Sequence, residues 1–316
     1  IECNENAIIC FKKNKNEEHL NIAKLSKAIN LMEINETEEA MKIVEEIEKQ
    51  IEIYSEKNRH YQSALYVDLA KFYIDSGVYE KALNYAKISY EIFKESEDLS
   101  GIKASLSNII ICCNFLDTKL SIEYGNIFIE LLEKTQNIRI LASTYNALTS
   151  SYRKTKEYEK AIEYGKKAVN ASLQIKSELL FVVNLLNLGN VYRDINDTKE
   201  ALSIYLRGKK IAEDNHILKE EVRALKLITE IYIKANDIET AYIYAEECLE
   251  KSLKCKIYYR IYEANFNLAH ILFLKKESKW KEYFEEGINI YEKFEEKEDV
   301  IMKILYYLNI FGEELT

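Results

Sequence analysis

One small residue recurs in this sequence at almost constant spacing. Ala40, Ala82, Ser121, Ala161, Ala201 and Ala241 follow one another at gaps of 42, 39, 40, 40 and 40. Around each lie apolar residues at helical spacing, first before it and then after it. A fixed period of this length marks a repeat array, in which no unit buries its own apolar face and each relies on a neighbour. Proline is absent and glycine occurs only 8 times in 316 residues, so little in the chain breaks a helix. The expected fold class is all-α, built from helical pairs.

The clearest copy runs from Asn184 to Asp214, with Leu188, Gly189 and Tyr192 followed by Ala201, Tyr205 and Gly208. This order of large and small residues resembles the tetratricopeptide repeat, a pair of antiparallel helices. Leu69, Ala70, Tyr73, Gly77, Tyr79 and Ala82 carry it in the second copy, and Tyr145, Leu148, Tyr152, Tyr158, Ala161 and Ala168 in the fourth. The sixth keeps Leu225, Tyr232 and Ala241, and a seventh begins near Ile261 with Leu268 and Ala269. The third diverges: Asn108 stands where leucine is usual and Cys112 where tyrosine is usual, which leaves its register open by one residue. The resemblance implies a right-handed α-α superhelix, a solenoid of about seven helical hairpins. A last amphipathic helix with Val300, Ile301, Ile304, Leu305 and Leu308 is expected to cap it. The expected layout is a lead-in or linker end over 1–19, an array over 20–311 and a tail over 312–316. The chain opens at Ile1 rather than methionine, so a piece of a longer protein is expected.

Composition narrows the function. A net charge of −9 argues against nonspecific binding to nucleic acid or anionic membrane, both of which favour a basic face. No uninterrupted apolar run reaches membrane-spanning length, and no signal peptide opens the chain. The six cysteines, Cys3, Cys10, Cys112, Cys113, Cys248 and Cys255, form no Cys-x-x-Cys pair and read as free thiols of a cytoplasmic protein. His19, His60, His216 and His270 are scattered over separate repeats. No phosphate loop, zinc-protease or nucleophile-elbow motif occurs. The expectation is therefore a non-enzyme, with no cofactor and no metal site, that acts by binding.

The resemblance also implies where binding occurs, because in such arrays the first helix of each pair lines the groove. On that count the wall carries Asn146, Ala147, Ser150, Arg153 and Lys154, then Val183, Leu186, Asn187, Asn190, Arg193 and Asp194. It continues with Arg223, Lys226, Leu227, Glu230 and Lys234, then Phe266, Asn267, His270 and Phe273. A carboxamide both donates and accepts, so Asn146, Asn187, Asn190 and Asn267 suit an extended peptide backbone. Arg153, Lys154, Arg193, Arg223, Lys226 and Lys234 outnumber Asp194 and Glu230, which points to an acidic ligand or a free carboxylate.

Repeats of about 40 residues with asparagines on this wall are similar to the cytoplasmic peptide-pheromone receptors of Gram-positive bacteria and to kinesin light chain-like scaffolds. The function implied is a peptide- or protein-binding module, the ligand-sensing part of a bacterial cytoplasmic signalling protein. Two alternatives stand beside it. One is the N-terminal sensory segment of a larger signalling enzyme, such as a diguanylate cyclase or histidine kinase. The other is a plain assembly scaffold. The partner expected is a peptide or protein in the groove, without direct nucleic-acid or membrane contact, and a homodimer stays open.

Overall fold

The computed structural model describes residues 2–14, 17–33, 36–51, 59–135, 137–292, 305–307 and 309–312. Among these residues there are helices and turns and no strand. They divide between two compact units, Ile1–Ala161 and Ile162–Thr316.

The first unit opens with α1 (Glu2–Lys13), followed by the pair α2 (Glu17–Glu33) and α3 (Thr37–Ile51). Residues 2–13 and 17–19 of the expected lead-in are thus helical, and α1 packs on α2. Phe11 lies 5.2 Å from His19, and Glu5 lies 3.5 Å from Lys27. The basic Lys12 and Lys13, which resemble a linker in sequence, close α1 at the end where cations suit the helix dipole. The pairs α4 (Arg59–Asp75) with α5 (Tyr79–Glu95) and α6 (Leu99–Leu116) with α7 (Thr118–Thr135) follow, then α8 (Ile138–Lys154). α9 (Tyr158–Gln174) runs across the unit boundary. The second unit holds α10 (Glu178–Asp194) with α11 (Thr198–Asp214), α12 (Leu218–Lys234) with α13 (Ile238–Cys255), and α14 (Tyr258–Leu274) with α15 (Trp280–Glu292).

The period now has a physical origin. α10 and α11 each have 17 residues and each is followed by a three-residue turn, so α12 begins 40 residues after α10. In the third pair both helices have 18 residues. Asp117 alone joins them where a three-residue turn joins α4 to α5, so α7 begins 39 residues after α5 and Ser121 follows Ala82 by 39. Ala40, Ala82, Ser121, Ala161, Ala201 and Ala241 are each the fourth residue of their helix, and each is 0% exposed. A methyl or hydroxymethyl there lets the paired helix approach.

The turns recur every 20 residues from Lys156 through Lys176, Asn196, His216, Asn236 and Lys256 to Lys276. All are in the left-handed region, with φ between 50° and 64°. At Asn196 the geometry is a Schellman closure: its N–H donates to the Arg193 carbonyl (3.0 Å) and that of Asp197 to the Tyr192 carbonyl (2.9 Å). The third turn residue then caps the next helix, Asp197 accepting from the N–H of Glu200 and Asp237 from that of Thr240. One tripeptide thus satisfies orphan groups at both helix ends. Glycine is absent from these seven sites, and a left-handed lysine costs about 1–2 kcal/mol. Lys176→Gly should release that strain, less about 0.5–1 kcal/mol of glycine entropy. A gain near 0.5–1 kcal/mol is expected in urea unfolding followed by circular dichroism, and a loss would show that the lysine stem contributes more than its backbone costs.

The core lies between the helices of each pair and under the next. In the first unit it holds Leu65, Leu69, Phe72 and Tyr73 against Val44, Ile47 and Cys112, with Leu106, Ile110, Phe128 and Leu132 further on. α6 is long and apolar enough to cross a membrane by length and composition alone, with a mean hydropathy of 1.4. It sits instead as a core helix that buries Leu106, Ile109, Ile110, Cys112 and Cys113. Burial pushes the Cys112 thiol up to about 12 and that of Cys113 to about 11, so both stay protonated. In the second unit Val182, Leu186, Tyr205, Ala224 and Ile228 form one cluster. Phe266, Leu272, Trp280 and Phe284 form another with Tyr307 and Phe311 of a terminal helix. That helix is described at residues 305–307 and 309–311. Val300, Ile301, Ile304 and Leu308, expected in the same cap, lie outside the described residues.

Candidate functional site

The predicted wall residues divide between the two units. Asn146, Arg153 and Lys154 belong to the first, on α8; Asn187, Asn190, Arg193, Arg223, Lys226 and Asn267 belong to the second, on α10, α12 and α14.

On α8, Asn146 and Arg153 are half-buried. The Lys154 ammonium donates to the backbone carbonyl of Asn114 at the end of α6 and lies 5.2 Å from the Phe115 ring centroid. Burial, helped by the adjacent Arg153 charge, holds its pKa below the usual lysine value. Phe115 stacks on Tyr79 at 4.0 Å and is 60% exposed. Lys154 therefore covers an aromatic step as much as it presents a charge.

In the second unit the asparagines are tied to neighbours. The Asn187 carbonyl accepts from the guanidinium of Arg223, one helix pair away. The Asn190 carbonyl accepts from the Tyr205 hydroxyl at 2.8 Å, so a core tyrosine of α11 fixes the rotamer of a wall residue on α10. Asn267 differs: it is 8% exposed, and among the described residues nothing hydrogen-bonds its side chain.

The charges form an alternating ladder. Asp194 meets Arg193 at 3.4 Å, and Arg193 meets Glu230 of α12 at 3.3 Å. Glu230 meets Lys226 at 3.3 Å, and Lys226 meets Glu263 of α14 at 3.2 Å. Glu263 meets Arg260 at 2.6 Å. Beside the ladder Arg223 pairs with Glu220 at 3.1 Å, and the Lys234 ammonium donates to the Asn196 carbonyl at 3.1 Å. Each half-exposed pair contributes about 0.2–1 kcal/mol; together they link three successive first helices of the second unit. The basic excess counted in the sequence is thus largely neutralised, because Glu220 and Glu263 join the face. Both stand at i±3 or i+37 from their partners, so only a register-aligned reading of all wall positions would have found them.

Three apolar residues predicted for the wall go to the core instead. Leu186 is 0%, Leu227 6% and Phe266 1% exposed. Phe266 packs on Phe284 and Tyr307 at 5.7 and 5.0 Å. Full burial of such a side chain is worth about 1.5–3 kcal/mol, which decides its direction.

Against α12 and α14 the terminal helix encloses a cleft of about 510 Å³. It is lined by Lys226, Glu230, Ile233 and Lys234 of α12, by Glu263, Asn267 and His270 of α14, and by Tyr306 and Tyr307 of the terminal helix. The tyrosines escaped the sequence reading because they lie beyond the last repeat. Burial lowers the pKa of His270, so its ring is neutral at pH 7. Among the described residues no three His, Cys, Asp or Glu side chains gather as a metal site would require.

Two segments match family models of the tetratricopeptide repeat, residues 142–174 and 185–215. No curated protein matches the chain by sequence. Among solved structures it is similar to a signal transduction ATPase with numerous domains, a protein with a tetratricopeptide repeat sensor from Pyrococcus horikoshii. Identity is 17% and the TM-score 0.65, over 93% of this chain and 45% of that one. The chain thus spans less than half the length of that protein. It is similar to NprR in complex with its cognate peptide NprX, at 15% identity and a TM-score of 0.59 over 98% of this chain and 92% of that one. It is also similar to kinesin light chain repeats of Podospora anserina, at 13% identity and a TM-score of 0.53 over 64% and 99%. At such identities the likeness shows the fold. The chain thus matches the tetratricopeptide repeat at 142–174 and 185–215, and its fold is similar to that of the helical repeat arrays in the quorum sensor NprR and in the kinesin light chain protein of Podospora anserina.

Proposed function

We propose that the chain is a peptide- or protein-binding module, the ligand-sensing part of a cytoplasmic signalling protein, and that it has no catalysis of its own. The observation that carries this is the wall of the second unit. Asn187, Asn190 and Asn267 stand on first helices of that unit, beside a ladder that stiffens their supports. Asn187 and Asn190, held through their oxygens by Arg223 and Tyr205, offer amide donors to a backbone without first being ordered, which saves side-chain entropy on binding. A peptide is bound by a protein of the same fold, which supports the reading by analogy.

The test is a screen of short synthetic peptides, followed by calorimetry. Asn187→Ala and Arg193→Ala should each weaken a selected peptide by about 0.5–1.5 kcal/mol and leave the helical signal intact. Docking on second helices such as α11 or α13, or indifference to both substitutions, would sink the groove reading. A second reading, the sensory segment of a larger signalling enzyme, is favoured by the sensor array that makes up part of the Pyrococcus protein. A catalytic domain encoded beside this segment would support it.

A further inference from the structure

We propose that the cleft between α12, α14 and the terminal helix receives an uncharged, amide-bearing segment of the peptide, such as a backbone amide or an Asn or Gln side chain, and excludes carboxylates and ammonium groups. This rests on the binding reading above and gives it a place and a ligand chemistry.

The charged groups of the cleft are already matched. Lys226 lies between Glu230 and Glu263, and Lys234 donates to Asn196. An incoming carboxylate would have to draw Lys226 from two carboxylates and leave them facing each other. An incoming ammonium group would have to displace Lys226 itself. Either exchange breaks one ion pair to make another and adds the desolvation of the newcomer.

Among the described residues, the neutral groups are unmatched: the side chains of Asn267, His270, Tyr306 and Tyr307 make no hydrogen bond. Asn267 and His270 are three apart on α14 and so share a face. Tyr307, 6% exposed, lies 6.5 Å from the His270 ring. Asn267 supplies two donors and an acceptor, and a neutral imidazole one of each. Their complement is a group that both donates and accepts, which is an amide. Carboxylates lack the donor and ammonium groups lack the acceptor. A volume of about 510 Å³ falls in the range of small-ligand pockets, enough for a short peptide stretch.

The experiment uses an array of short acetylated and amidated peptides, read against the whole chain and then titrated by calorimetry. Selected peptides should carry Asn, Gln or only apolar residues at the anchoring position, with Asp, Glu, Lys and Arg depleted there. Their affinity should change less than about twofold between low and high salt, because no net charge is matched across the cleft. Asn267→Ala, His270→Ala and the exposed Tyr306→Ala should each weaken binding about threefold to tenfold. Tyr306 is 59% exposed, so its variant tests the cleft even if a buried replacement unfolds. Selection of acidic peptides with steep salt dependence would overturn the proposal. So would peptides insensitive to all three substitutions but weakened by Asn187→Ala, an outcome that leaves the binding reading standing. No selected peptide at all would fail both.

Discussion

Replacing Lys251 by methionine is expected to cost the second unit about 3–5 kcal/mol, the penalty for leaving a buried charge without its partner. Glu221 of α12 is only 3% exposed, and its carboxylate accepts from the Lys251 ammonium of α13. Burial of Lys251 works against its charge, and the hydrogen bond and attraction of Glu221 outweigh this, so its pKa stands above the usual lysine value. A raised lysine pKa stabilises the fold fully below the unfolded value of about 10.4, and that stabilisation is lost as the pH rises through the folded value. Between pH 6 and 9 the contribution of Lys251 should therefore be constant. Methionine keeps much of the apolar stem but removes the charge, and it leaves the Glu221 carboxylate, 3% exposed, without that ammonium. The melting temperature should fall by roughly 10 °C, at ~2–4 °C per kcal/mol for a unit of this size. Adding Glu221→Leu should recover most of the loss, since an apolar pair of similar volume fills the same space. A single variant within 1 kcal/mol of the parent would show that water reaches Glu221.

The repeat was legible because its cause is local and periodic. A buried small residue at the fourth position of each second helix leaves a mark that no neighbouring sequence obscures, as Ala201 and Ala241 show. The turns were legible only at Gly77, the one place where glycine marks a positive φ within the array. Lys156, Lys176 and Lys276 adopt the same conformation without a residue type that announces it. Here Schellman hydrogen bonds and the capping residue that follows override intrinsic preference. α1 stayed hidden because its polar run, with Lys12, Lys13 and Asn14, reads as a linker until α2 is there to pack against.

The residues expected on the wall fall on first helices, but their charge pairing was not legible. Register alone places Asn187, Arg193, Lys226 and Asn267 on first helices. It does not say that Arg223 spends a hydrogen bond on Asn187, or that Glu263, a residue left out of the count, balances both Lys226 and Arg260. Charge neutralisation is a pairwise property, and pairs 36 or 37 residues apart show only when the helices are set side by side. The cleft needed still more, because Tyr306 and Tyr307 come from a helix with no place in the repeat.

Gly189→Ala is expected to destabilise the second unit by about 2 kcal/mol and to loosen the wall at Asn190. A Cβ at Gly189 would fall 2.5 Å from Cε1 of Tyr205 and 3.0 Å from Cγ2 of Ile204. The Tyr205 ring is 0% exposed and cannot swing aside as a flexible chain end would, so α10 and α11 must part. Overpacking of this kind costs about 1–3 kcal/mol. The shift also strains the 2.8 Å bond from the Tyr205 hydroxyl to Asn190, at about 0.5–1.5 kcal/mol. Against this, alanine gains about 0.8–1.0 kcal/mol of helix propensity, too little to reverse the sign. Tyr205→Phe separates the two effects, because it keeps the ring and removes only the hydroxyl. If Asn190 needs that hydroxyl for its orientation, both variants should weaken a selected peptide, while only Gly189→Ala should lower stability by more than about 1.5 kcal/mol. A Gly189→Ala protein as stable as the parent would mean that propensity dominates and that the close approach of α10 to α11 is not what glycine provides here.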